Sequence, residues 1–549
     1  MITIDGTGRR PTSIALAVAV LAGSLWWLAS PRFDLWPLAW LAPAPLLWLI
    51  DRAPSPKRAR RYAWLAGTAC SVGGFGWIVS LLSRYSSLPW PVAVLGLVLL
   101  AAYQGLIFWA FAAAVRRVRE VSRERLGAPL PMALLAPIAM ACFETVWPLI
   151  FPYQLAITQA WNPTVIQIAE LTGPVGVTAL LFAMGGALYD ALVETTVRRR
   201  LIPVGGALLL IAVSLIYGQV RLGQIDDQRA AARQLRVGLV QTNVAFDGPE
   251  PNDSPAVLRR LRQTHDRTAE LEARGAELVV WPESGFPYAL ERLPVPGLAE
   301  KVIRHRPVGT DDLESQPAHA VPLVLGVTTI ALDRDRGRSR PPYNSALLVQ
   351  GDRVAARYDK NYLVMFSEHI PFADTFPWLE KILPSGTGHF TPGDELTTLP
   401  LETAAGTVRL GPMICFEDTL PRFSRRLAEH RPHLLVNLTN DTWFGDSAEP
   451  WQHLALSVFR TVELRTELVR AVNTGVTAHV DAAGRVRTRT EVIDPRATPR
   501  KPEAVLVTVA LLEGGHGFYA RFGQLFGFLC VLLTLGAWLI WPRLRRRDR

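Results

Sequence analysis

The sequence predicts two joined parts, a multi-span α-helical membrane domain and an α/β domain held outside the membrane. Three observations predict this. The 549 residues are 49% hydrophobic, with a mean hydropathy of +0.18, which is too apolar for a purely soluble chain of this length. The apolar residues gather into long runs before residue 218 and once more near the C-terminus. The polar stretch between them alternates short β-branched runs with segments of helical spacing.

The apolar runs extend from Pro11 to Ser30, Leu35 to Ile50, Tyr62 to Leu82, Pro91 to Val115, Pro131 to Ile150, Val165 to Leu192, Ile202 to Tyr217 and Phe522 to Trp541. Crossing hydrocarbon takes roughly 20 residues, so most qualify singly, while Leu35 to Ile50 is short and broken by prolines. Arg9 and Arg10 precede the first run as in a secretory signal, but the further spans predict an uncleaved first helix. The basic residues alternate from loop to loop. Arg52, Lys57, Arg58, Arg60 and Arg61 follow the second run; Arg116, Arg117, Arg119, Arg123 and Arg125 the fourth; Arg198, Arg199 and Arg200 the sixth; and Arg543, Arg545, Arg546, Arg547 and Arg549 the last. Short cytoplasmic loops are enriched in Lys and Arg. The pattern therefore predicts a membrane domain of about seven spans over residues 1–218, an extracytoplasmic domain over 219–519, and a last span with a basic cytoplasmic tail over 520–549. In a bacterium with an outer membrane the large domain would lie in the periplasm. The formal charge of +10 is explained by these clusters, so no nucleic-acid partner is expected.

Within the polar segment, Leu235 to Val244, Leu278 to Trp281, Leu323 to Thr329, Ala346 to Gln350, Val408 to Cys415 and Leu434 to Leu438 read as strands. Ala256 to Ala273 and Leu454 to Val469 read as helices, Val476 to Thr490 as a hairpin turning at Asp481 to Gly484, and Arg304 to Pro322 as an irregular loop. The result is a layered α/β domain. Glu144 and Glu170 fall near span ends, where an intramembrane carboxylate needs a partner, water or an interfacial position.

Of the four cysteines, Cys70, Cys142 and Cys530 lie in apolar runs, where a thiol packs as a small hydrophobe. Cys415 stands apart, in Gly-Pro-Met-Ile-Cys-Phe-Glu-Asp at a strand end. A cation beside it would lower the thiol pKa and stabilise an oxyanion. Glu283, in Leu-Val-Val-Trp-Pro-Glu-Ser-Gly-Phe, follows a buried strand, where desolvation raises a carboxylate toward a useful general base. Lys360 and Glu368 sit among aromatics in Arg-Tyr-Asp-Lys-Asn-Tyr-Leu-Val-Met-Phe-Ser-Glu. Neither the cysteines nor the histidines show a metal-ligand spacing, so no metal or cofactor is expected.

Trp-Pro-Glu, then Tyr-x-Lys-x-x-Leu-x-x-Phe-x-Glu, then Ile-Cys-Phe-Glu, in that order at strand ends, resembles the nitrilase, or carbon-nitrogen hydrolase, superfamily. Asn-Leu-Thr-Asn-Asp-Thr-Trp-Phe-Gly at Asn437 to Gly445, Pro450-Trp451-Gln452-His453 and Arg470 to Gly475 narrow the resemblance to the apolipoprotein N-acyltransferases. Met365, Ser367 and Phe416 stand where that family commonly has Pro, Gly and Tyr, and Leu464 to Glu467 lacks its usual Gly-Arg-Pro. The resemblance implies a nitrilase-like αββα sandwich outside the membrane, with Glu283 as general base, Lys360 as oxyanion stabiliser and Cys415 as nucleophile. Glu368 and Glu417 would support them, the Phe416 N–H would be a second oxyanion donor, and Trp443, Phe444 and Trp451 would be candidate substrate contacts.

It also implies an inner-membrane acyltransferase, expected to act as a monomer. A phospholipid acyl donor would charge Cys415 as a thioester, and the N-terminal cysteine of a diacylated apolipoprotein would accept the chain. The alternative is a membrane-tethered amidase or hydrolase with the same triad, in which water resolves the acyl-enzyme.

Overall fold

The computed structural model describes residues 10–84, 88–245, 255–291, 300–301, 319–333, 338–339, 341–351, 353–365, 367–370, 375–376, 390–492 and 502–540. Arg9, the loop starting at Arg304 as far as residue 318, and the basic tail from Arg543 lie outside the described residues. The chain divides into two compact units, Met1–Gly223 with Phe522–Arg549, and Gln224–Arg521.

The first unit is helical. Among the described residues, Trp90–Leu126, Pro174–Val193 and Val197–Ala231 are each long and apolar enough to cross a membrane; Pro56–Gly74 and Trp77–Arg84, bent by 56°, pass that test only together, as a broken span or a re-entrant loop. Ser13–Ala29, Met132–Val146 and Leu525–Leu539 are shorter apolar helices. The Leu35 to Ile50 run becomes two short helices, Leu38–Leu41 and Pro43–Arg52. Val165 to Leu192 is not one continuous helix. Gly173 adopts φ 67 and ψ −176, a conformation reserved for glycine, and Pro174 cannot continue a helix from the preceding turn. The helix therefore starts at Pro174.

Polar side chains in this unit are spent on helix ends. Asp190 Oδ1 accepts the Met132 N–H at 3.1 Å and its Oδ2 the Ala133 N–H at 2.9 Å, capping a neighbouring helix across the interface. Gly186 permits that approach: a Cβ there would meet the Met132 carbonyl group at 2.6 Å. Arg116 donates to the carbonyls of Ile50, Asp51 and Ala53 at the C-terminus of Pro43–Arg52. The two carboxylates singled out in the sequence are buried and have partners within the protein. Glu144 accepts the Leu155 N–H at 2.9 Å, and Glu170 takes both Arg221 Nε and Nη2, at 2.8 and 2.7 Å, with the Tyr217 hydroxyl at 2.9 Å.

The second unit holds two mixed sheets. In chain order the main strands are β1 (Gln234–Gln241), β2 (Leu278–Val280), β3 (Leu323–Ile330), β4 (Tyr343–Gln350), β5 (Arg353–Asp359), β6 (Leu399–Leu401), β7 (Val408–Ile414), β8 (Leu434–Thr439), β9 (Leu468–Val472), β10 (Ala478–Val480), β11 (Val486–Arg489) and β12 (Glu503–Ala510). One sheet runs β12-β1-β2-β3-β4-β5 with two-residue strands beside it, and the other β6-β7-β8-β9-β10-β11. At the centre of each sheet three strands lie parallel: β1, β2 and β3 in the first, β7, β8 and β9 in the second. They are buried almost throughout, as parallel strands covered on both faces must be. Asn473, just past β9, joins the sheets: its carbonyl accepts the Asn243 N–H at 2.8 Å, and its side chain bonds both the N–H and the carbonyl of Val244.

The expected helix from Leu454 to Val469 is Glu449–Leu464 instead. Arg465 closes it in a left-handed conformation, φ 54 and ψ 44, and Leu468–Val472 crosses to the middle of the sheet as β9. Strands β5, β6, β9 and β12 are not among those the sequence predicts.

The trans-cap gives a test of the helical unit. Asp190→Ala strands two N–H groups away from water and should destabilise the detergent-solubilised protein by ~1–3 kcal/mol, whereas Asp190→Asn, which keeps one acceptor, should lose less. Thermal unfolding of both variants measures the difference; equal losses would contradict the cap.

Candidate active site

Three strand ends build the site. Glu283 follows β2 through Trp281 and Pro282, in a turn where Ser284 has φ 53. Gly326 on β3 makes room for that turn, since a Cβ there would lie 2.4 Å from the Pro282 carbonyl oxygen and 2.6 Å from the Glu283 Cα. Lys360 follows β5, its N–H donating to the Asn344 carbonyl of β4 at 2.8 Å. Cys415 follows β7 and opens a 3-10 turn, Cys415–Thr419. Its φ of 51 puts it in the left-handed region, a sharp strand-to-helix corner that a side chain tolerates at a cost of roughly 1–3 kcal/mol.

The Lys360 side chain is 1% exposed. Its Nζ lies 2.8 Å from Glu368 Oε2 and 3.4 Å from Glu283 Oε1. Asn344 bridges the two acids, its Nδ2 donating to Glu283 Oε1 at 2.7 Å and to Glu368 Oε1 at 3.0 Å. The Val364 N–H donates to Glu368 Oε2, the oxygen nearest Lys360, at 2.9 Å. These contacts divide the carboxylates. Burial pushes both upward, but Lys360, Val364 and Asn344 bring Glu368 below its ordinary range, while Glu283 stays above its own, with the Glu368 charge adding to burial. Burial opposes the Lys360 charge, but Glu368, Glu283 and Cys415 outweigh it and raise the ammonium pKa.

Cys415 is half-buried and lies within electrostatic range of Glu283, Lys360, Asp441 and Glu368. Its thiol is pushed well above the ordinary value of 9.0 by burial and by Glu283, against the pull of Lys360. This reverses the lowered thiol pKa expected from a neighbouring cation: burial first, and then the nearby carboxylates, outweigh what the cation alone would do. The resting sulfur is a protonated thiol beside a carboxylate of raised pKa.

Glu417 ties the lysine segment to the cysteine corner. Its Oε1 accepts the Tyr358 hydroxyl at 2.7 Å and the N–H groups of Asn361 and Tyr362 at 2.7 and 3.1 Å; its Oε2 accepts the Ile414 N–H at 2.8 Å. Phe416, half-buried, follows Cys415 in the same turn. Beneath this turn lies a second charged cluster that the sequence reading passed over. Arg470 on β9 reaches Asp418 at 2.7 Å and Asp441 at 3.0 Å, and His453 reaches the same two acids at 2.8 and 3.2 Å. Burial and Arg470 oppose a charge on His453, but Asp418 and Asp441 prevail and push its pKa up to about 10, so two cations face two carboxylates. Asp441, Glu449 and His453 offer ligand atoms within 4.8 Å of one another. Both ring nitrogens of His453 are engaged by aspartates and Arg470 already sits on Asp441, so the cluster fits an internally balanced charge network and not a metal seat. The available signal was a pair of polar residues, Asn437 and Arg470, inside otherwise aliphatic runs.

The three aromatic candidates lie in the chain after β8. Trp443 and Phe444 are half-buried after β8, and the Trp451 ring lies under the Arg489 guanidinium at 4.8 Å. A cavity of about 150 Å³ beside Glu283 is lined by Thr242, Val244, Leu261, Ser284, Asn440 and Asn473, and by none of the three aromatics.

Residues 22–188 match the family described as the apolipoprotein N-acyltransferase N-terminal domain, and residues 229–497 match the carbon-nitrogen hydrolase family. An apolipoprotein N-acyltransferase of Geobacter metallireducens is 31% identical over 528 residues, covering 94% of this chain and 92% of its own. That of Azotobacter vinelandii is 31% identical over 554 residues, covering 98% and 96%. Among solved structures, Saccharomyces cerevisiae Nit3, a member of branch 10 of the nitrilase superfamily, matches 51% of this chain and 90% of its own at 19% identity and a TM-score of 0.34. On the strength of a relationship that spans both units, the chain belongs to the apolipoprotein N-acyltransferase family.

Proposed function

We propose that the chain moves a fatty acyl group from a membrane phospholipid to the α-amine of the N-terminal, diacylglyceryl-modified cysteine of a lipoprotein, through a thioester on Cys415. The observation that carries this reading is the Lys360 ammonium, held between Glu368 and Glu283 within electrostatic range of the Cys415 thiol. In the first half-reaction Sγ attacks the ester carbonyl, and an S–C bond forms as the ester C–O bond breaks. The thiol proton passes to Glu283 and then to the departing lysophospholipid alkoxide. In the second, the amine attacks the thioester, an N–C bond replaces the S–C bond, and the amine proton returns through Glu283 to sulfur. Lys360 and the Phe416 N–H stabilise the oxyanion in both. Glu368 keeps the ammonium in place, Glu417 keeps the lysine segment against the cysteine corner, and Trp443, Phe444 and Trp451 serve as substrate contacts.

The alternation of basic loops supports an eight-span topology with both ends in the cytoplasm of a bacterium. Residues 219–519 are then periplasmic and the chain sits in the inner membrane as a monomer. Both substrates carry acyl chains, and drawing them into water would cost about 0.8 kcal/mol per CH₂ exposed. Anchoring the enzyme in the bilayer avoids that step.

Two outcomes test the reading. Intact-protein mass spectrometry after incubation with phospholipid should find a fatty acyl adduct on Cys415, which a diacylated lipopeptide should clear as N-acyl product. Cys415→Ala, Lys360→Ala and Glu283→Ala should each lower transfer by at least about 100-fold. Release of free fatty acid without N-acyl peptide would make the protein a hydrolase instead. The pH profile is the second. Glu283 must be ionised to act as base and its pKa is raised, so activity should fall as pH drops through a value above the ordinary 4.5. Asn344→Ala removes a hydrogen bond that favours the carboxylate and should move that acid limb still higher; an unmoved limb would remove Glu283 as the titrating base.

A further inference from the structure

The strand register sets three polar or backbone groups in one row across the second sheet. Met413 on β7 is opposite Asn437 on β8, and Asn437 is opposite Arg470 on β9. Asn437 is fully buried, as are Arg470 and Thr439. Its Nδ2 donates to two carbonyls, Met413 and Cys415, each at 3.3 Å. Its Oδ1 accepts Thr439 Oγ1 at 2.6 Å and Arg470 Nη1 at 3.1 Å. The amide is therefore locked from both ends and cannot rotate without losing a bond to a buried group. The Cys415 carbonyl also lies 3.4 Å from His453 Nε2, so the cationic side of the buried cluster faces that oxygen.

A trans peptide is planar, with its C=O and its following N–H pointing in opposite directions. Fixing the Cys415 carbonyl on Asn437 thus fixes the Phe416 N–H on the opposite side of the same plane. Drawing electron density toward a polarised carbonyl also makes that N–H a stronger donor. We propose that Asn437, braced by Thr439 and Arg470, is a positioning residue that aims the Phe416 N–H at the oxyanion of acyl transfer. The inference rests on the reading of Cys415 as the acylated nucleophile. It assigns to Asn437 an effect on carbonyl chemistry at that sulfur, distinct from any effect on the sulfur's ability to attack.

Two reactions of one thiol separate those effects. Acylation by phospholipid passes through an oxyanion; alkylation by iodoacetamide displaces iodide and forms none. In full-length protein in detergent, Asn437→Asp should slow Cys415 acylation by about 100-fold, while iodoacetamide labels Cys415 at close to the wild-type rate, both read by mass spectrometry of the Cys415 peptide. Thr439→Val, which removes only the brace, should slow acylation by about 10-fold with alkylation again unchanged, and stands in if the first variant does not fold. Equal slowing of both reactions in Thr439→Val would reduce Asn437 to a packing role, and unchanged acylation in a folded Asn437→Asp would overturn the inference. If wild-type protein forms no acyl adduct on Cys415 at all, the underlying reading of the nucleophile fails with it.

Discussion

An ammonium group shut away from water governs this site. Removing Lys360 from solvent costs several kcal/mol that only close, well-oriented anions can offset, and the two anions come from different segments, Glu283 from the end of β2 and Glu368 from the chain beyond Lys360. Glu368 supplies the tight contact and Glu283 the loose one. That inequality gives the acids different tasks. The nearer one is held below its ordinary pKa by the cation, and the farther one stays above its own, as the proposed general base requires. Asn344 ties the two acids together by bonding one oxygen of each.

A second balanced set of charges supports the cysteine corner from below. Arg470 and His453 meet Asp418 and Asp441 with little access to water. Glu417 closes the space between the two sets by accepting N–H groups from both the lysine segment and the residue before the cysteine. Ligand sites in α/β proteins favour the carboxyl ends of parallel strands. Here β2 and β7 each end at a residue of the candidate site, Glu283 after one and Cys415 after the other, one from each sheet.

The strand ends bearing Glu283 and Cys415 were legible in the sequence because a β-branched run followed abruptly by a polar turn has few other readings. Lys360 was legible only through its motif, since β5, Arg353–Asp359, alternates charged and apolar residues and resembles a surface segment. The end of the Glu449–Leu464 helix was missed because Arg465 takes the left-handed conformation that a glycine usually signals. With no such signal, helical spacing appeared to continue into Val469. The broken stretch before Pro174 was hidden by uniform hydropathy, which measures how apolar a run is and not whether its backbone can stay helical. The raised thiol pKa lay beyond sequence altogether, because it depends on how deeply the sulfur is buried and on where the surrounding carboxylates and cation are placed.

The burial of Asn437 has a practical side. With Leu438 and Thr439 it forms an Asn-Leu-Thr sequon, the acceptor triplet for N-linked sugar in a eukaryotic secretory pathway. Oligosaccharide is bulky and belongs on a surface loop, yet this asparagine is fully enclosed in the middle of a sheet. A chain glycosylated there before folding would have no way to close β8 between its neighbours, and removing the triplet through Thr439 would discard the hydroxyl bonded to Asn437. Expression in a host without that modification, such as a bacterium, keeps both residues intact.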